Sequence, residues 1–244
     1  MAVVKKVAKR TDGVETMARL MVEARKELTK HGVDEFDVEV VLENSKTARS
    51  SLYHHFGSKF GLVYAAQLEE LTESLNNDNA VFRLLVETST SENEFFGKLA
   101  EMMYATSAKE FIEFRRDRIR VFSSATSNKK LADAVRVAQV KGNLYFTETL
   151  EILRDRGWIK PQFDLHTVTY MIHGILFGHV LLDFSRLPEL EEGWGDVAIS
   201  TIIYLVGGSE KFAPLAKAAK TKLVNVTDSG AFSCSETIGA LGRT

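Results

Sequence analysis

Ser51-Leu52-Tyr53-His54-His55-Phe56-Gly57-Ser58-Lys59 is the stretch whose reading decides the fold. It closes a short amphipathic helix, expected from about Thr47 to His55, and opens a longer one. On a helical wheel Arg49, Ser50, Tyr53 and His54 share one arc, while Ala48, Leu52 and His55 lie opposite. One face is built to pack and the other carries hydrogen-bonding groups. Gly57-Ser58 is a turn, with Ser58 placed to cap the next helix, along which Phe60, Tyr64, Leu68, Leu71 and Leu75 form a stripe. Upstream, Ser45-Lys46-Thr47 reads as a turn after a short helix, about Val38 to Asn44, that Asp37 caps. Before it, Met17, Leu20, Met21, Ala24 and Leu28 mark a first helix, about Asp12 to His31, stopped by Gly32. Two short helices joined by a three-residue turn make a helix-turn-helix, and the second helix of such a pair can lie in a DNA major groove. There an Arg can fork onto guanine, a Ser can meet base or phosphate, and Tyr and His can reach phosphate oxygens.

The remaining sequence suits such a unit attached to a larger helical body. The chain has 244 residues, 45% of them hydrophobic and 26% charged, as in ordinary globular proteins. Prolines number three, which leaves long stretches open to helix. The single cysteine, Cys234, excludes an internal disulfide and a cysteine-based zinc site, and fits a reducing, cytoplasmic setting. Met1 to Arg10 reads as a loose basic arm without the apolar core of a signal peptide. Val168 to Leu182 is the most apolar stretch, shorter than a membrane span and interrupted by histidines and glycines, so a buried helix is expected and no membrane partner. The formal net charge is -2, so the chain as a whole is no generic nucleic-acid binder. Residues 1–59 nonetheless hold 11 basic against 9 acidic side chains, and the remainder 20 against 24. That asymmetry permits DNA contact at the N-terminal end without showing it.

Asn76-Asn77-Asp78-Asn79 is a polar run expected to end or kink the fourth helix, with another helix around Phe82 to Val86. Ser91-Glu92-Asn93-Glu94 has the pattern of a capping box and starts a helix through about Thr106. Further helices are expected at about Ala108 to Ser124, Lys129 to Arg156, Leu165 to Arg186 and Glu192 to Val206, with a break at Gly157 to Pro161. No strand-like alternation persists, so the fold class is all-α. Lys211 to Val224 reads as one more helix, and the chain beyond Asn225 as disordered.

Leu52-Tyr53-His54-His55-Phe56, then Ser58-Lys59 and Leu62, resembles the DNA-binding domain of the TetR family of bacterial regulators. The resemblance covers roughly Leu20 to Leu62 and implies a three-helix DNA-binding domain at 1–58, its basic arm being 1–11. It further implies a ligand-binding and dimerisation domain at 59–208, followed by a tail at 209–244. Carried over residue by residue, Thr47 stands at the turn, Arg49 and Ser50 face bases, and Tyr53, His54 and Lys59 hold phosphates. Lys46 replaces the turn glycine usual in that family and adds a possible phosphate contact. Leu42 replaces a small residue, Gly61 stands where a glutamate is common, and Arg25 and Glu27 occupy positions that are often apolar.

Residues 80–206 are rich in aromatic and methionine side chains, most of which belong in a helical core. The resemblance implies that some line an apolar cavity for a small hydrophobic or amphipathic effector. Phe96, Met103, Tyr104, Phe111, Phe122, Tyr145, Tyr170, His173 and Phe177 are the candidates, with His179 as a further polar handle. The three histidines His166, His173 and His179 do not converge on one face, so no metal site is expected, nor any cofactor. Gly174 and Gly178, four apart, let another helix approach closely, either within the subunit or at a dimer seam. The resemblance favours a seam of the last two main helices, with Gly174, Gly178, Leu181, Ile199 and Ile203 as candidates, and a homodimer reading a palindromic operator in double-stranded DNA. No catalytic arrangement is evident, so the chain is not expected to be an enzyme. The rival reading is a helical small-molecule-binding protein, or an enzyme with an enclosed apolar site, whose helix-turn-helix is only architectural.

Overall fold

The computed structural model describes residues 2–106, 111–185 and 187–207, with only the backbone described for 2–12, 106, 188, 189 and 192. All regular structure among the described residues is helical: α1 Ala2–His31, α2 Val38–Ser45, α3 Arg49–Phe56, α4 Lys59–Thr88, α5 Glu92–Thr106, α6 Ile112–Thr126, α7 Lys129–Asp155, α8 Leu165–Gly178, α9 Val180–Ser185 and α10 Pro188–Leu205. The all-α expectation holds. The expected helix at Lys211 to Val224, the disorder beyond Asn225 and the 209–244 tail lie outside the described residues.

Several boundaries differ from the sequence reading, each for a physical reason. α1 reaches back to Ala2 where a loose arm is expected, since no proline interrupts residues 2–12 and Ala, Lys and Arg favour helix. α4 runs unbroken through Asn76–Asn79, so the expected break and separate helix at Phe82 do not form. Tertiary partners hold the polar run: the Asn79 amide donates to the Gly142 carbonyl (3.1 Å), and Asp78 pairs with Arg118. The expected helix from Leu165 to Arg186 is interrupted after Gly178, and His179 bonds back to Leu176 across the tightened joint. α10 begins at Pro188, which suits a first helical turn because its missing N–H has no partner to lose. The segment Leu165–Ser185 has the length and apolarity of a membrane span. It nevertheless places the carboxylate of Asp183 in a buried bidentate pair with Arg115.

The chain divides into two units, Met1–Ser74 with Val121–Arg136, and Leu75–Arg120 with Val137–Thr244. In the first, Leu20, Ala24, Leu28, Phe36, Val41, Leu42, Leu52, Leu62, Val63 and Ala66 form one buried cluster. In the second, the larger core gathers Phe82, Val86, Phe95, Phe96, Phe146, Leu150, Ile159, Val168, Ile172, Ile199 and their neighbours.

Candidate functional site

The helix-turn-helix is held by side chains that the sequence pattern only partly explains. Asp37 caps α2 by accepting the Glu39 backbone N–H (2.8 Å). Its own N–H donates to the buried carboxylate of Glu27 (3.2 Å). Glu27 therefore replaces an apolar packing residue with a second bond at the start of α2. Arg25 pairs with Glu73 (2.7 Å) and approaches Glu69 (3.8 Å) on α4; the Glu73 bond raises the guanidinium pKa further. Leu42 packs in the core, and its carbonyl accepts the Thr47 N–H (3.0 Å).

Between α2 and α3 the backbone turns at Lys46 rather than at Ser45, which is still helical. Lys46 adopts φ 51°, ψ 42°, the left-handed region, and is the one non-glycine with positive φ among the described residues. Holding a residue with a Cβ there costs about 1–2 kcal/mol relative to ordinary helix. The glycine usual in the family meets this geometric demand, and the lysine meets it under strain.

α3 presents the arc read from its sequence. Arg49, Ser50, Tyr53 and His54 are exposed, Leu52 is buried, and Phe56 packs against the core. Ala48 is exposed as well, because it precedes the helix as its N-cap, outside the wheel on which it was placed. Lys46 is exposed and Thr47 half-buried at the turn, the Thr47 hydroxyl donating to the Ser45 carbonyl (3.2 Å). Two of these side chains have tertiary partners. Arg49 forms an ion pair with Glu39 of α2, so the candidate base reader is already held at one end. Lys59 donates to the Phe36 carbonyl (2.5 Å) and lies 5.6 Å from that ring's centroid, fastening the start of α4 to the loop before α2. The acidic residues of α2 and the buried Phe36 were the available signals, and only tertiary pairing assigns them.

The turn between α3 and α4 is equally constrained. Gly57 ends α3 in the left-handed region, φ 76°, and Ser58 Oγ accepts the Gly61 N–H (2.9 Å). A Cβ on Gly61 would stand 1.9 Å from the Phe56 carbonyl oxygen. Gly61 is thus required by close backbone approach, which accounts for the missing glutamate.

In the larger core a cavity of about 50 Å³ is lined by Phe82, Phe95, Phe96, Leu99, Met102, Met103, Phe146, Leu150, Leu153, Ile159, Ile172, Leu176, Ile202 and Val206. Of the nine ligand candidates only Phe96 and Met103 reach it. The Tyr104 hydroxyl donates to Asp196 (2.5 Å), its ring lying against Gly195. Phe111 packs edge-on to Phe114, and Phe122 belongs to the first unit. Tyr145, Tyr170 and Phe177 are largely exposed. His173 lies one layer behind the cavity wall: its ring meets that of Phe146 at 4.8 Å, and Nδ1 bonds Asn143 Oδ1 (2.9 Å). Burial, with a contribution from Arg118, pushes the His173 pKa down to about 4, so its ring is neutral near pH 7 and Nδ1 carries the donated hydrogen.

His179 is also lowered, by burial first and then by Arg115, against the pull of Glu191 and Asp183. Among the dimer candidates, Gly174 and Leu181 are exposed, a Cβ on Gly178 would stand 3.4 Å from the Trp194 ring, Ile199 is buried in the core and Ile203 packs against it. Gly178 thus lies close to a ring of its own subunit. No group of three or more His, Cys, Asp or Glu that could hold a metal ion occurs among the described residues.

Residues 20–66 match the sequence profile of the bacterial regulatory proteins, tetR family. No curated protein matches the chain by sequence. Its fold is similar to a putative TetR-family transcriptional regulator from Mesorhizobium loti, at TM-score 0.63 and 16% identity over 80% of this chain and 98% of that one. It is similar too to a putative transcriptional regulator from Saccharomonospora viridis in complex with choline (TM-score 0.58, 14% identity, 78% and 96% covered). A third likeness is to RolR in complex with resorcinol (TM-score 0.54, 15% identity, 85% and 95% covered). Residues 20–66 thus carry the match to the tetR family of bacterial regulatory proteins, and the described fold as a whole is similar to that of solved TetR-type regulators.

Proposed function

We propose that the chain is a cytoplasmic transcriptional repressor that binds a palindromic operator as a homodimer and answers to a small hydrophobic or amphipathic effector. Residues 1–58 read DNA, and 59–208 hold the effector and the dimer seam. The observation that carries this reading is the outward face of α3, where Arg49, Ser50, Tyr53 and His54 stand exposed on a helix whose other side is locked into a core. Arg49 and Ser50 read bases, while Lys46, Thr47, Tyr53, His54 and Lys59 position the phosphates. Support for an effector comes from the relatives that hold resorcinol and choline, and from the apolar cavity. Support for a dimer comes from the exposed Tyr170, Met171, Leu181 and Phe184 of α8 and α9, and from Val197 and Tyr204 of α10. A dimer would cover such exposed apolar side chains.

Selection from a random DNA pool at low salt tests the reading directly. A single preferred sequence with two-fold symmetry is expected, its affinity falling steeply as salt rises, because phosphate contacts release counterions. Recovery of no preferred sequence sinks the proposal. Arg49→Ala is expected to relax the preference and cost about 1–3 kcal/mol of binding. An unchanged preference removes Arg49 as a reader.

A further inference from the structure

The chemistry of the cavity narrows the class of effector. Fourteen side chains line it and none contributes a polar atom. Phe82 and Phe146 stack with centroids 4.4 Å apart, and Phe95 meets Phe96 edge-on at 5.0 Å, so aromatic rings form much of the wall. Polar groups on α7 and α8, the helices that carry part of this wall, are paired with one another. Asn143 with His173 and Thr147 with Thr169 bond between α7 and α8, and the His173 ring meets the lining Phe146 edge-on. Burial keeps His173 uncharged, and Arg118, whose charge also lowers that pKa, is paired with Asp78.

We infer that the cavity is the binding site for a neutral, hydrocarbon-like molecule of about one ring, deepening the reading of the chain as an effector-controlled regulator. A charged group buried there would meet no partner, and a hydroxyl would lose its hydrogen bonds to water without replacement. The volume of about 50 Å³ is roughly a third of the ~150 Å³ apolar cavity known to take benzene. The ligand therefore binds an expanded arrangement. Leu99, Met102 and Leu176 are the partly buried members of the wall, and methionine adapts readily to a changed space. A ligand that fits only the expanded arrangement shifts the population toward it.

Toluene, benzoate and benzylamine have one shape and three charges, and titrating each into the full chain near pH 7 tests the inference. Toluene is expected to bind at one site per chain and raise the Tm, with benzoate and benzylamine weaker by about a hundredfold or more. Leu99→Phe, which fills the cavity, is expected to weaken toluene at least about tenfold without lowering the Tm. Ile172→Val, which enlarges it, is expected to retain or tighten toluene binding, and serves where the filled variant fails to fold. Equal affinity for benzoate, toluene affinity indifferent to Leu99→Phe, or no toluene binding overturns the assignment. The same preparation is assayed for DNA capture. A chain that captures its sequence but takes no toluene sinks the cavity assignment alone. A chain that takes toluene but captures no DNA supports the cavity and sinks the regulator reading.

Discussion

The helix-turn-helix and the larger core are built from similar helices, yet they spend their polar residues in opposite ways. Among the described side chains of α1 to α3 most polar groups are exposed or cap helix ends, with Glu27 and Ser45 buried, over one apolar cluster. In the larger unit several polar groups are buried and paired with one another: Arg115 with Asp183, Asn143 with His173, Thr147 with Thr169. The first pattern leaves side chains available to a partner. The second fixes the register of packed helices around an apolar cavity, and its disruption should be felt as lost stability.

The largest expected effect follows from that contrast. Arg115 Nε and Nη2 hold both oxygens of Asp183 at 2.7 and 2.5 Å, with the two side chains only 10% and 1% exposed. Arg115→Ala strands a buried carboxylate and is expected to cost about 3–5 kcal/mol in denaturant unfolding. Replacing both partners with apolar residues should recover much of that loss. A small effect of the single change would mean that Asp183 is hydrated and that the two units differ less than their burial implies.

Gly61→Ala asks the same question of the helix-turn-helix. Its Cβ would meet the Phe56 carbonyl oxygen, a backbone atom that cannot swing aside. About 2–3 kcal/mol of destabilisation is expected, because the turn joining α3 to α4 must shift. Gly97, within α5 and with open space around its Cβ, is the control: Gly97→Ala should stabilise by about 0.5–1 kcal/mol.

The buried polar layer also predicts a pH dependence. With His173 held at about 4 when folded, against 6.5 when unfolded, the unfolded chain carries a proton that the folded one lacks between those values. Stability should therefore fall as pH drops from about 6.5 toward about 4, by up to about 3 kcal/mol from this group. His179, also lowered, adds to the loss, and Asp78, raised by burial, opposes it. Comparing unfolding of the parent and His173→Gln at matched pH isolates the His173 share. Parallel curves would show that His173 titrates as freely as an exposed histidine.

The two regions also differed in how much of them could be read from sequence. The helix-turn-helix was legible because its signals are local. Gly32, Asp37 and the Gly57-Ser58 turn each dictate a backbone state within a few residues, and Leu52 and Phe56 are the packing positions of an eight-residue helix. What escaped was tertiary pairing: Arg49 with Glu39, Lys59 with Phe36, Glu27 with Asp37. In the larger unit the helices were legible and the cavity was not. An aromatic residue of a long helix can face core, cavity or solvent with the same local pattern. Hence Phe96 reaches the cavity while Tyr145, Tyr170 and Phe177 face outward, and Phe82 and Phe146, which line it, were not among the candidates.

Lys46 is where the two ways of using a polar residue meet, and its substitution carries the smallest expected effect on stability. Its side chain is exposed, yet its backbone holds a conformation that glycine adopts without strain. Lys46→Gly removes that strain but gives the unfolded chain more freedom, so a net gain of up to about 1 kcal/mol is expected. If Lys46 touches a phosphate, the same change weakens binding to all sequences alike and lowers the slope of log affinity against log salt by about one. Stability and affinity should then move in opposite directions from one substitution. That opposition is what a strained lysine kept for contact with DNA requires. A variant that gains stability with unaltered salt dependence would show the charge to be idle, and Lys46 to be only a poor turn residue.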